Sequence, residues 1–121
     1  NIVQDLSAVT AACFMVRKQL YIDLLGFDEK LAVAFNDVDF CLKVRTAKYL
    51  IVYNPFVEAY HYESKSRGED TENSEKQKRF AKEYELFVKR WSKTIAKGDP
   101  YYNRNYRLDT DLPKINYNKI W

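Results

Sequence analysis

Phe35-Asn36-Asp37-Val38-Asp39-Phe40-Cys41-Leu42-Lys43-Val44-Arg45 is the stretch on which the reading of this chain turns. Val38, Cys41 and Leu42, with Phe40, Val44 and Ala47, recur at three- and four-residue spacing, which predicts an amphipathic helix from about residue 35 to residue 48. Two carboxylates fall in its first turn. At about 100° per residue, Asp37 lines up with Cys41, Val44 and Lys48 along the packed arc, whereas Asp39 points with Lys43 and Thr46 to the polar side. A carboxylate on the packed side of a helix N-terminus faces unpaired N–H groups and the positive end of the helix dipole. Both favour its charged form and suit a general base at the edge of a cleft. The same position suits a plain N-cap, because Asn36 or Asp37 before an apolar helix closes the first turn by accepting a backbone N–H. Spacing alone does not separate the two readings.

Upstream of this helix, residues 7–16 are small, β-branched and apolar and read as a buried strand ending at Arg17-Lys18. A short helix follows over residues 18–25, with Leu20, Leu24 and Leu25 inward and Gly26 closing it. Phe27-Asp28-Glu29 forms a turn, and residues 31–35 lead into the central helix. Downstream, residues 50–53 form a short strand stopped by Asn54-Pro55. Residues 57–63 form another, with Val57, Ala59, His61 and Glu63 on one face. His61 is the only histidine, placed at that strand's end beside a polar loop over residues 64–73. A lone histidine packs or faces solvent as readily as it binds a ligand.

Ser74 and Gln77 form a capping box that opens a long helix, whose apolar stripe is Phe80, Tyr84, Phe87, Val88, Trp91 and Ile95. Gly98 and Pro100 stop it, and its Lys and Glu residues read as a solvated outer face. The aromatic tail, residues 101–121, reads as irregular chain packed back on the domain. A peripheral membrane or partner contact is the alternative.

With 121 residues, 46% hydrophobic and 31% charged, the chain has the composition of one globular domain. Its net charge of +3 is uneven, with 6 basic and 7 acidic residues in 1–60 against 14 and 10 in 61–121. That surplus is too dilute for a nucleic-acid footprint, and no nucleic-acid partner is expected. Cys13 and Cys41 lie in apolar runs without a C-x-x-C pair, which predicts two reduced, buried thiols and a cytoplasmic setting. No run is long and apolar enough to cross a bilayer, and the start shows no signal-peptide pattern. The chain begins without Met in strand-like sequence, from which a piece of a longer protein is expected.

Three segments together carry a resemblance. They are Ser7-Ala8-Val9-Thr10-Ala11-Ala12-Cys13-Phe14-Met15-Val16-Arg17 with Gly26-Phe27-Asp28-Glu29; Phe35-Asn36-Asp37-Val38-Asp39-Phe40-Cys41-Leu42; and Tyr60-His61-Tyr62-Glu63-Ser64 with Ser66-Arg67-Gly68, then Asp99-Pro100-Tyr101-Tyr102-Asn103. In this order they resemble the C-terminal half of a family 2 glycosyltransferase of the GT-A fold, of the kind that builds bacterial polysaccharides. The resemblance covers nearly the whole chain. It implies an α/β fold: a short mixed sheet with flanking helices and a long C-terminal helix, all one acceptor-side domain. Strands, central helix and loop would occupy residues 1–73, the long helix 74–98 and the tail 99–121.

The resemblance also implies roles. Asp37 matches the family's general base, which takes the proton of the acceptor hydroxyl, and Asn36, Asp39, Thr10 and Ala11 belong to the acceptor-side helix and strand. His61 matches a ligand of the divalent metal, Mn2+ or Mg2+, on the donor diphosphate. Ser66 and Arg67 belong to the loop over the donor phosphates. The implied partners are a nucleotide-diphosphate sugar and a saccharide or lipid-linked acceptor at the inner face of the membrane, and the implied reaction is inverting transfer.

Departures from the pattern are Ala11, where the family usually has Gly, and Leu25-Gly26, where it has a Gly pair. The nucleotide-binding half with its Asp-x-Asp is missing. Asp37-Val38-Asp39 opens a helix and Asp109-Thr110-Asp111 lies in the tail, so neither takes its place. A fragment of this kind is expected to be inactive alone and to self-associate through the apolar edges that the missing half would cover. Two other classes stay open: an interaction module that keeps the fold without the chemistry, and a binder of anionic surfaces through the basic helix and aromatic tail.

Overall fold

The computed structural model describes residues 2–60, 74–103, 105–107, 109, 114 and 115. In chain order they form β1 (Gln4–Leu6), a 3-10 turn (Ala11–Cys13), α1 (Lys18–Asp23), α2 (Asn36–Thr46), β2 (Ile51–Tyr53) and α3 (Ser74–Ala96). The class is mixed α/β, as expected. The sheet among these residues is a two-stranded antiparallel ladder, pairing Gln4 with Tyr53, Asp5 with Val52 and Leu6 with Ile51.

The helix expected over residues 35–48 is α2, and it is central in a literal sense. Asp39, Phe40, Cys41, Leu42 and Val44 are all buried, and at 100° per residue these positions point around nearly the whole circumference. Each side meets a different neighbour. Phe40 joins an aromatic cluster with Phe14, Tyr21 and Phe27, at centroid separations of 6.1, 5.1 and 5.6 Å. Leu42 packs with Leu31 and Phe87 of α3, flanked by Phe35, Val38, Leu86, Val88 and Trp91.

On that second side the sequence reading needs correction. Asp39, placed on the polar side, is fully buried. Its Oδ1 accepts from Arg90 Nη1 at 2.7 Å and Trp91 Nε1 at 2.8 Å, while Lys43 Nζ lies 3.2 Å from Oδ2 without hydrogen-bond alignment. Arg90 also donates to Asp28 Oδ2 at 2.5 Å. The physical reason is the second helix: α3 covers the side of α2 that a lone amphipathic helix would give to water. α3 corrects its own reading too. Glu83 is not solvated: it is buried, and its Oε2 accepts from the Ala34 and Val33 amides at 2.6 and 3.4 Å, whereas Lys82, Glu85 and Lys89 are exposed as expected.

The strand expected over residues 7–16 does not form. Those residues run extended and then turn through the 3-10 segment, held by side chains of α2 instead of a neighbouring strand. Residues 57–60 likewise form no strand, and 61–63 lie outside the described residues. α1 ends at Asp23, two residues early, with Leu25 86% exposed rather than inward. Leu25 takes the left-handed conformation at φ 59°, and the Leu25 and Gly26 amides donate to Ile22 and Tyr21 carbonyls at 2.9 and 2.8 Å. Gly26 is needed there, since a Cβ would sit 2.7 Å from the Tyr21 ring. α3 stops two residues before Gly98, whose φ of 74° breaks the helix as expected.

The tail does pack back where it is described. Asp99 Oδ1 accepts from Ser7 Oγ at 2.6 Å, and the Arg45 guanidinium lies 5.0 Å from the centre of the Tyr101 ring.

Asp39→Ala takes the shared acceptor from Arg90 and from the half-buried Trp91 N–H and is expected to cost about 1–3 kcal/mol in urea unfolding. Asp109→Ala, which breaks an exposed pair with Arg107, should leave the midpoint unchanged. Acid weakens the same region. The Arg90 hydrogen bond, aided by the Lys30 amide, holds the Asp28 carboxyl below its ordinary 3.8. A lowered folded value contributes stability that is present above 3.8 and lost as pH falls through the folded value. Thermal melts of Asp28→Asn should therefore show a lower midpoint than wild type at pH 7 and a smaller further loss below pH 4.

Candidate functional site

The chemistry-bearing end of α2 is its N-terminus, and the backbone there is unusual. Phe35, the residue that caps the helix, has φ 64° and ψ 2°, a left-handed conformation that costs a bulky residue about 1–2 kcal/mol. Packing offsets it: the Phe35 ring stacks on Phe87 at 5.0 Å and touches Phe80 and Tyr84. This bend lets the Phe35 carbonyl accept the Asp39 amide at 2.8 Å while the preceding two amides go to Glu83. Asn36 Oδ1 accepts from the Asp37 amide at 2.7 Å.

Asp37 is half-buried, and its two oxygens are treated differently. Oδ1 accepts from the Val38 amide at 2.8 Å, a local first-turn bond. Oδ2 accepts from the Ala11 amide at 3.1 Å, across 26 residues of chain. A carboxylate has about four acceptor positions, so two bonds leave capacity for a bound hydroxyl. The Ala11 contact is the last of three. Arg45 Nη1 donates to Ser7 Oγ at 2.7 Å, the Cys41 thiol faces the Val9 carbonyl at 3.8 Å, and then Ala11 meets Asp37. Two extended residues advance about 6.6 Å and one helical turn of four residues about 6 Å, so residues 7–11 run antiparallel along α2 with one contact per turn.

The structure thus brings Asp37, Asn36, Ala11 and Thr10 to one place. The Thr10 hydroxyl accepts the Ala12 amide at 3.3 Å and caps the 3-10 turn. Asp39 is on the same helix but walled in behind α3, so it serves packing, and Arg90 and Trp91 serve with it. His61, Ser66 and Arg67 lie outside the described residues. Among the described residues no three His, Cys, Asp or Glu side chains come together as a metal site.

A groove of about 930 Å³ lies beside the site, lined largely by apolar residues that include Val9, Phe14, Val16, Phe40, Ile51 and Val57. Thr10 and Cys13 line it and Asp37 does not. Sequence reading missed Ser7 and Arg45 as partners. The available signal was the polar set Asp37, Cys41 and Arg45 at four-residue spacing on one helix face.

No family model matches the chain, and no solved structure matches it. Known proteins do. The chain is 47% identical over 108 residues to the uncharacterized protein y4gI of Sinorhizobium fredii, covering 88% of this chain and 12% of that protein. It is 31% identical over 102 residues to the O-antigen biosynthesis protein RfbC of Myxococcus xanthus, covering 84% of this chain and 8% of that protein. Over 62 residues, 51% of this chain, it is 32% identical to 20% of the N-acetylglucosaminyl-diphospho-decaprenol L-rhamnosyltransferase of Mycobacterium tuberculosis. The chain spans only a small part of each relative. Where these names state a function, it is O-antigen biosynthesis or L-rhamnosyl transfer. No helix among the described residues is long and apolar enough to cross a membrane.

The two thiols differ. Cys13 is exposed, against expectation, because the 3-10 turn lifts it off the packed face, whereas Cys41 is buried as expected. Burial pushes the Cys41 thiol up, the Val9 carbonyl contact opposes this, and the Asp37 charge adds to the rise. A disulfide-exchange reagent is expected to label one thiol quickly in the native chain and the second only after denaturation. Cys13→Ser should remove the fast phase.

Proposed function

We propose that this chain is the acceptor-side part of a GT-A glycosyltransferase of family 2, acting in cell-surface polysaccharide assembly on the cytoplasmic side of the membrane. The named relatives support transfer chemistry at the level of the class. The observation that carries the reading to a residue is the Asp37 carboxylate, half-buried at a helix N-terminus and held from across the chain by the Ala11 amide.

In this reading the acceptor hydroxyl donates a hydrogen bond to Asp37, which takes the proton as the oxygen attacks the anomeric carbon of the donor. The carbon–oxygen bond to the nucleoside diphosphate breaks as the new glycosidic bond forms, so the configuration inverts. The helix N-terminus and the Ala11 and Val38 amides hold the carboxylate before the reaction, limiting reorganisation during it. A divalent metal, Mn2+ or Mg2+, would neutralise the leaving diphosphate. His61 would be one ligand and Ser66 and Arg67 would meet phosphate, with the remaining ligands outside the described residues.

The donor is proposed as a nucleotide-diphosphate sugar. The relative named for a decaprenyl-diphosphate substrate supports a lipid-linked saccharide acceptor. The apolar side chains exposed among the described residues near the groove, including Met15, Val52, Phe56 and Val57, are where the nucleotide-binding part would pack.

The complete polypeptide containing this chain, given a panel of nucleotide-diphosphate sugars and a polyprenyl-diphosphate-linked N-acetylglucosamine, is expected to release nucleoside diphosphate and lengthen the acceptor. Asp37→Asn should lower kcat about 10²- to 10⁴-fold with a smaller change in donor KM. Unchanged turnover in that variant would exclude Asp37 as the base.

A further inference from the structure

We propose that the backbone N–H of Ala11 is a positioning group for the transfer reaction, acting on substrate only through Asp37. The inference rests on the reading of Asp37 as the base, and it assigns a task to the segment before α1.

The geometry is specific. Asp37 Oδ2 accepts from the Ala11 amide at 3.1 Å, whereas Oδ1 is tied to its own helix through Val38 at 2.8 Å. Oδ1 alone leaves the carboxylate free to swing about its side-chain torsions, and the Ala11 amide removes that freedom. The donor is itself held on both sides. The Thr10 hydroxyl accepts the Ala12 amide, fixing the 3-10 turn in which Ala11 is the first residue. Upstream, the Val9 carbonyl faces Cys41 and Ser7 is bound to both Arg45 and Asp99. The segment is thus pinned one helical turn at a time, and its last contact falls on the carboxylate.

A backbone N–H is removable while the Asp37 side chain itself is left in the sequence. Thr10 has φ −66° and ψ 143°, the extended conformation that a residue before proline adopts, and the first position of a helical turn accepts the proline ring. In Ala11→Pro the N–H is lost and the ring's Cδ occupies the hydrogen's place, displacing Oδ2. Ala11→Gly keeps the N–H and serves as the conservative variant.

In the complete polypeptide, Ala11→Pro is expected to lower kcat about 10- to 100-fold, as for a lost hydrogen bond to a charged group, with donor KM within about threefold. Ala11→Gly should restore most of it. In the 121-residue chain, the Ala11 amide proton should resonate downfield and move upfield in Asp37→Asn, a readout independent of activity and of how well the proline variant folds. An Ala11 amide that does not respond to Asp37→Asn overturns the proposal. So does full kcat in Ala11→Pro beside an inactive Asp37→Asn, which leaves the base reading standing. If Asp37→Asn itself retains activity, the base reading falls and this inference with it.

Discussion

A carboxylate buried to zero exposure must be matched in charge and hydrogen bonding, and Asp39 is matched from two directions. Lys43 comes from the next turn of its own helix, while Arg90 and Trp91 come from α3. Apolar contacts between α2 and α3 would tolerate sliding. A planar guanidinium and an indole N–H converging on one oxygen tolerate little. The register of the two helices is set there, and Glu83, two turns nearer the N-terminus of α3, extends the grip to the amides of Val33 and Ala34 just before α2 begins. Arg90 continues to Asp28, so the loop between α1 and α2 is tied into the same node.

The left-handed Phe35 follows from this arrangement. Two amides turn to Glu83 and the next carbonyl turns to the helix, and the chain reverses through one strained residue whose ring is stacked on Phe87. Strain of this kind persists where surrounding contacts over-determine it. Its consequence is that Asp37 starts a helix whose first turn is clamped from α3 on one side and from residues 7–11 on another. A rigid carboxylate with unused acceptor capacity is what proton abstraction from a bound hydroxyl requires.

Much of the architecture was legible. The spacing of Val38, Cys41, Leu42 and Val44 located α2, the stripe around Phe87 and Trp91 located α3, and Gly98 with Pro100 located its end. The identities of the helix faces were not legible. A periodic pattern reveals one apolar seam, whereas α2 has a neighbour on every side, so Asp39 looked solvated when it is the most enclosed polar group described. Residues 7–16 looked like a strand because extended chain needs the same residue types whether its partner is a strand or a helix face. Cys13 looked buried because its neighbours are apolar, and the 3-10 turn exposes it.

By itself the sequence determined that Asp37 would stand at the N-terminus of a central helix, because helix periodicity and end signals are local and need no knowledge of the rest of the chain. Only the tertiary structure decided which groups hold that carboxylate and which hold Asp39. Those partners lie 26 and 51 to 52 residues away, and they meet only once two helices and an extended segment pack with matched spacing.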